Sequence, residues 1–268
     1  MLKTRTASPS GAPSQIADAT WPAVAATQFD LVVLPWGATE AHGTHLPYAT
    51  DNYEVEAVAA EAARIAWASD AKAAVLPGIP FGVQTGQLDI PFCINLNPST
   101  QAAILSDVLA SLAATKVRKF VLLNGHGGND FRQILRELQP RFPQVFLSTL
   151  SWFTAHDGRG IIEVIGDHAD ERETSLMLHL HPELVAPRET WGTGKANAWT
   201  LAALRDKSAW APRHWTLATQ DTGVGDPAAA TAEKGKRYFN AICERVAGYF
   251  VELAKADLQA LYERPDAR

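Results

Sequence analysis

Leu31-Val-Val-Leu-Pro-Trp-Gly37 is apolar from end to end, and it runs straight into the polar stretch Ala38-Thr-Glu-Ala-His-Gly-Thr-His45. A short apolar run with no alternation has the form of a strand buried on both faces, not one with a wet side. Three more stretches read the same way: Ala73-Ala-Val-Leu76, stopped by Pro77-Gly78; Lys119-Phe-Val-Leu-Leu-Asn-Gly125; and Val145-Phe-Leu-Ser-Thr-Leu150. Between them lie segments with apolar residues at helical spacing. Asn52 to Ala68 carries Val55, Val58, Ala59, Ala62, Ile65 and Ala66 on one face. Ser99 to Thr115 carries Ile104, Leu105, Val108, Leu109 and Leu112. Phe131 to Leu138 and Glu171 to Leu180 read as shorter helices, and one long helix is expected from about Pro227 to Leu261. Buried strands separated by helices imply an α/β fold with a mostly parallel sheet covered on both faces.

The composition bounds the function. With 47% hydrophobic and 20% charged residues among 268, the chain has a core of ordinary size. The formal charge, 24 − 29 = −5, and the lack of any Lys/Arg run argue against a nucleic-acid partner. Cys93 and Cys243 form no CxxC pair, which disfavours a disulfide framework or a thiolate zinc site and points to a reducing, cytoplasmic location. The N-terminal residues lack the apolar core of a signal peptide, and no apolar run reaches eighteen residues, so no membrane span is expected. Residues 1–14, rich in Ser, Pro and Thr, read as a flexible tail, and 15–268 as one domain. The stretch 187–225 is rich in Trp, Gly and Thr without clear periodicity and reads as a long loop region of the kind that often carries function.

In open parallel sheets, ligands bind beyond the carboxyl ends of the strands. Two strands here end in polar sequence: the first in Glu40, His42 and His45, the second in Asn124-Gly-His-Gly-Gly-Asn129. Glu40, His42, Asp51 and His126 are nitrogen and oxygen donors of the type that zinc, manganese and similar ions accept. Glu40 and His42, two apart, point to one side of an extended segment. Asp51 opens a helix and is placed to bridge two ions; Asp51-x-x-Glu54 has equally the form of a capping box. Glycines at 125, 127 and 128 clear the space around His126. Glu173 falls on the apolar stripe of its helix with Leu176, Met177 and Leu180, where a carboxylate needs a cation, either an arginine or a metal ion. His168 is a candidate proton shuttle.

These residues resemble a known family. Leu34-Pro-Trp-Gly-Ala-Thr-Glu-Ala-His-Gly-Thr-His-Leu-Pro47 with Asp51, Asn124-Gly-His-Gly-Gly-Asn129, and His168-Ala-Asp-Glu-Arg-Glu-Thr-Ser175 are similar, in order, to three signatures of the creatininase (creatinine amidohydrolase) family. Thr222-Gly-Val-Gly-Asp-Pro227 and Ala230-Thr-Ala-Glu-Lys-Gly235 are similar to its C-terminal motif. The resemblance implies a three-layer α/β/α sandwich, a homohexamer, and two divalent ions, zinc first with manganese as the alternative at one site. It implies Glu40, His42, Asp51 (bridging) and His126 as ligands, and Glu173 as the replacement for a family glutamate whose place is taken by Gly128. It also implies His168 as proton donor and hydrolysis of an amide C–N bond in a small, often cyclic molecule. The backbone amides of Gly127 and Gly128 are expected to stabilise the oxyanion. Asn129, Gln87 and Trp152 are expected near substrate, together with the loops carrying Trp191 and Trp199. Asp170 stands where the family usually has Gly. Gly82-Val-Gln-Thr-Gly-Gln-Leu-Asp-Ile-Pro-Phe-Cys-Ile94 lacks the usual His residues and Phe-Pro-Gly-Thr core, which points away from creatinine itself. The alternatives are the same site acting on a lactone, a cyclic polyol ketone or a formamide, and a metal-stabilised assembly protein without turnover. A serine hydrolase is excluded by the lack of a GxSxG elbow.

Overall fold

The computed structural model describes residues 13–263. In chain order the elements are α1 (Trp21–Ala25), β1 (Leu31–Trp36), α2 (Thr50–Ala68), β2 (Ala73–Val75), α3 (Pro98–Ala113), β3 (Lys119–Asn124), α4 (Phe131–Leu138), β4 (Phe146–Ser151), α5 (Trp152–Ala155), α6 (Glu171–Leu180), two further single turns α7 (Ala202–Arg205) and α8 (Trp215–Ala218), and α9 (Ala232–Lys255). The strands form a parallel sheet in the order β2-β1-β3-β4.

The unbroken apolar strands have a physical cause. Side chains alternate between faces, and here both faces are dry. Leu31, Val33, Val121 and Leu123 pack against α2, α6 and α9, meeting Val58, Ala62, Leu176, Ile242 and Val246. Val32, Leu34, Phe120 and Leu122 pack against α3 and α4, meeting Leu105, Leu109, Ile134 and Leu138. At roughly 1.5–3 kcal/mol for each buried Val, Leu or Phe side chain, the two-sided strands are the strongest fold-determining feature of the sequence. The protein is a three-layer α/β/α sandwich, as expected.

Two boundaries differ from the sequence reading. The C-terminal helix is shorter at both ends. Thr231 caps it, its hydroxyl accepting from Lys234 N at 3.2 Å, so residues 227–230 turn outside the helix. At the other end Lys119 Nζ donates to the carbonyls of Ala254 and Ala256, at 2.8 and 2.9 Å, and closes it at Lys255. Of the expected tail, residues 1–12 lie outside the described residues. Ser14 is already buried, and its carbonyl accepts from Val75 N at 2.7 Å beside β2.

Trp36 and Asn124 are paired in register, so the chain leaves β1 and β3 at the same edge of the sheet. Gly125 then lets β3 approach the start of α2. A Cβ there would lie 2.6 Å from Val55 Cβ and 2.9 Å from the Asp51 carbonyl. That approach sets the distance between His126 and Asp51.

Candidate metal centre

Asp51 is the second residue of α2, not its cap. The N-cap is Ala49, with no side-chain capping bond, and the capping box suggested by Asp51-x-x-Glu54 does not form. The Asp51 carboxylate turns inward instead. Oδ1 lies 3.1 Å from His42 Nε2 and Oδ2 lies 3.0 Å from His126 Nδ1. Glu40 Oε1 is 3.1 Å from His126 Nδ1, 3.6 Å from His168 Nδ1 and 4.0 Å from His42 Nε2. Glu173 reaches the same place from α6, and its Oε2 also accepts from Ala169 N. Residues from three sequence-distant segments thus converge, all buried except Glu173, which keeps some exposed surface.

The ring orientations are fixed by backbone. A carbonyl only accepts, so the ring nitrogen facing it carries the hydrogen. His42 Nδ1 donates to Glu40 O at 3.1 Å, His126 Nε2 to Val83 O at 3.0 Å, and His168 Nε2 to Ala41 O at 2.7 Å. Each ring's other nitrogen faces carboxylate oxygens. A neutral imidazole would point a lone pair at an anion there, which is unfavourable unless a proton or a cation lies between them. Imidazoles tied to backbone on one nitrogen and free on the other are the arrangement metal-ligating histidines adopt.

The electrostatics of the cation-free protein fit the same picture. Burial pushes His42 and His126 towards the neutral form, but the carboxylates outweigh it. Asp51 does most to raise His42, to about 10, and Glu40 most to raise His126. Burial raises Glu40 and Asp51, but the histidine charges and hydrogen bonds hold both below the usual carboxylate range. Two protons therefore occupy the positions where a cation's charge would serve. Burial, reinforced by Asp170 and Asp51 against the pull of His42, lifts Glu173 to about 8. Burial and the His42 charge both lower His168. Among the described residues, three donor sets have ligand atoms within 4.8 Å of one another: Glu40, His42 and His168; Glu40, Asp51 and His126; His42, Asp51 and Glu173.

The centre opens into a cleft of about 760 Å³ whose walls include Gly127, Gly128, Asn129, Arg132, Phe153 and Trp210. A strap from the 187–225 region closes over it. Trp215 lies against His168, ring centroids 4.7 Å apart, with the Arg213 guanidinium 4.7 Å from the Trp215 ring. Arg213 pairs with Asp167 at 2.5 Å, and Thr216 donates to Asp89 at 2.6 Å.

The family-model comparison matches residues 17–250 to the family described as creatinine amidohydrolase. The chain belongs to the creatininase family. It is 31% identical over 221 residues to the mycofactocin precursor peptide peptidase of Mycobacterium tuberculosis, 80% of this chain and 81% of that one. It superposes on a creatinine amidohydrolase candidate from Bacteroides fragilis with a TM-score of 0.88 at 42% identity, covering 94% of this chain and 99% of the other. It shares the fold of creatininase solved in a Mn form and in a mutant Zn–Zn form, each with a TM-score of 0.71 at 23% and 24% identity, covering 91% of this chain and 99% of theirs. Family and donor sets together make it a metal-dependent amidohydrolase.

Against that family the departures acquire causes. A Cβ on Gly128 would lie 2.3 Å from Val83 O and 2.4 Å from His126 Nε2, so no glutamate fits there. Asp170 caps α6, accepting from Arg172 N at 2.8 Å and Glu173 N at 3.2 Å, and thereby orients the turn that carries Glu173.

Three expected pocket residues are placed differently. Trp152 does not line the cleft; it is buried in the core beside Tyr238, because the single turn α5 tucks under α9. Trp191 stacks on His45, centroids 5.0 Å apart, and neither Trp191 nor Trp199 borders the cleft. Asn129 lines the cleft, yet its side chain is engaged within the loop. Its Oδ1 accepts from Val83 N and Gln101 Nε2, and its Nδ2 donates to Asn124. Gln87 is buried and donates to Glu40 Oε2. His45, which ends the same polar stretch as Glu40 and His42, is bonded to Thr174 at 2.8 Å, and burial lowers it to about 4. Sequence reasoning missed Trp215, Arg213 and Cys93; the only signal was the loop-like text around the first two and the departure at 82–94 around the third.

Proposed function

We propose that the chain hydrolyses the C–N bond of a small amide at a centre of two divalent cations, zinc or zinc with manganese. Glu40, Asp51 and His126 would hold one, His42, Asp51 and Glu173 the other, with Asp51 shared. The observation that carries this is the pairing of backbone-tied imidazoles with buried carboxylates, whose Glu40 Oε1 and Asp51 Oδ2 face the second nitrogen of His126 at 3.1 and 3.0 Å. Cations in such a site supply Lewis acidity that acidifies water and polarises a carbonyl. The chain's own groups do the rest. Ala41 O holds the hydrogen of His168 on Nε2, so the neutral ring presents Nδ1 as a lone pair. His168 Nδ1 takes the proton of the attacking water and returns it to the leaving nitrogen. Backbone amides of Gly127 and Gly128, on the cleft wall, stabilise the charge that develops on the carbonyl oxygen.

A short peptide is a second substrate class. The 760 Å³ cleft lies in the size range of sites for drug-sized ligands, well beyond a single small ring, and a relative acts on a precursor peptide. A cytoplasmic homohexamer belongs to the same proposal. The buried, unpaired Cys93 and Cys243 support the location, and the exposed Leu88, Phe92 and Leu217 support assembly. Among the described residues no helix is long and apolar enough to cross a membrane. The test is turnover of cyclic amides, formamides, lactones and dipeptides by wild type and His168→Ala. Amide turnover should be lost in the variant with its metal content retained. No turnover of any substrate by the metal-loaded wild type would favour the non-catalytic assembly reading.

A further inference from the structure

Glu40 divides its two buried oxygens between different tasks. Oε1 faces the histidines, while Oε2 accepts from Gln87 Nε2. An amide is a neutral donor, so it fixes the carboxylate without cancelling the charge a cation needs. Which end of an amide faces a neighbour has to be read from its bonding partners, and here Cys93 decides it. The Cys93 sulfur accepts from Ala41 N at 3.3 Å, and its hydrogen goes to Gln87 Oε1 at 3.2 Å. With Oε1 committed to the thiol, Nε2 is left for Glu40. The reverse orientation would set oxygen against oxygen in a buried site, which is costly. Ala41, whose N–H donates to Cys93, accepts through its carbonyl from His168 Nε2 at 2.7 Å. The loop itself is anchored: Gln84 N donates to Asn95 Oδ1 at 2.8 Å, and Leu96 N to Gly82 O at 2.7 Å.

We propose that Gln87 is the positioning residue for Glu40, and that Cys93 sets the orientation of the Gln87 amide, so the 82–94 loop, whose residues 83–87 also line the cleft, supports the metal centre. This rests on the reading of Glu40 as a metal ligand. Partners of this kind around a metal ligand typically contribute 10- to 100-fold in affinity.

The test is the dissociation constant for Zn²⁺ and for Mn²⁺, by chelator competition on the full chain. The variants are Gln87→Met, Gln87→Ala, Cys93→Ala and Cys93→Ser, each also melted without metal. Both Gln87 variants should weaken binding by about 10- to 100-fold, while the metal-free protein, having lost a buried partner of Glu40 and Cys93, melts lower but still cooperatively. Cys93→Ala should weaken it less. Cys93→Ser, whose hydroxyl can both accept and donate, should bind as wild type does. Should Gln87→Met not fold, the Cys93 pair carries the comparison. Wild-type affinity in the Gln87 variants, or equal affinity in Cys93→Ala and Cys93→Ser, overturns the positioning role and leaves the metal reading standing. A wild type that binds neither ion overturns both.

Discussion

Glu173 and His42 hold protons in the folded, metal-free protein that the unfolded chain gives up. Glu173 is lifted from 4.5 to about 8 and His42 from 6.5 to about 10. A raised folded value contributes stability that is lost as pH climbs through it. Above about pH 7.5, one unit past the ordinary imidazole value, the buried histidines with lowered values, His45 and His168, are neutral in both states and do not oppose this. The melting temperature of the metal-stripped protein should therefore fall between about pH 7.5 and 10. Cations need the same groups deprotonated, so the melting-temperature gain on adding zinc should grow over that window. A metal-free melting temperature that holds or rises there would show that these side chains do not share protons as described. At this scale the sequence was informative about donor type. Glu40, His42, Asp51, His126, His168 and Glu173 all reach one place. It was silent on hydrogen-bond partners, because Gln87 and Cys93 meet Glu40 only after the 82–94 loop folds back.

Helix α6 brings Glu173 to the centre, and its placement depends on how tightly it crosses α9. Gly235 sits at that crossing, where a Cβ would lie 1.8 Å from Ser175 O. Helix propensity alone favours Gly235→Ala by about 1 kcal/mol, while a clash with rigid backbone of this kind costs about 1–3 kcal/mol. The clash decides the sign: the variant should be less stable in urea denaturation, and a more stable variant would contradict so close a crossing. The strap around Trp215 makes a different claim. It packs on His168 and is latched by Arg213 to Asp167. Trp215→Ala should lower turnover by about 10- to 100-fold, as small misplacements of reacting groups do, while metal content stays constant. An unchanged rate would make the strap a cover only. Helices α4 and α6 were legible in the sequence to the residue, because their apolar spacing and caps agree. The strap was not, because its order comes from an ion pair and ring contacts between segments far apart in the chain.

Across the whole molecule, the sheet was readable because strands dry on both faces leave an unmistakable apolar record. Trp152 shows the limit. A tryptophan at the end of a parallel strand suits a pocket wall or a core equally well, and only the packing of α9 settles that it is core. Parallel β1 and β3 ending in register is the feature that turns fold into site, since it brings residues some 85 positions apart within hydrogen-bond distance. The central claim is a two-cation centre shared through Asp51, and elemental analysis of purified, metal-reconstituted protein tests it most directly. The wild type should hold two ions per chain, His126→Ala should lose one, and Asp51→Ala should lose both. Full occupancy in both variants would contradict the account.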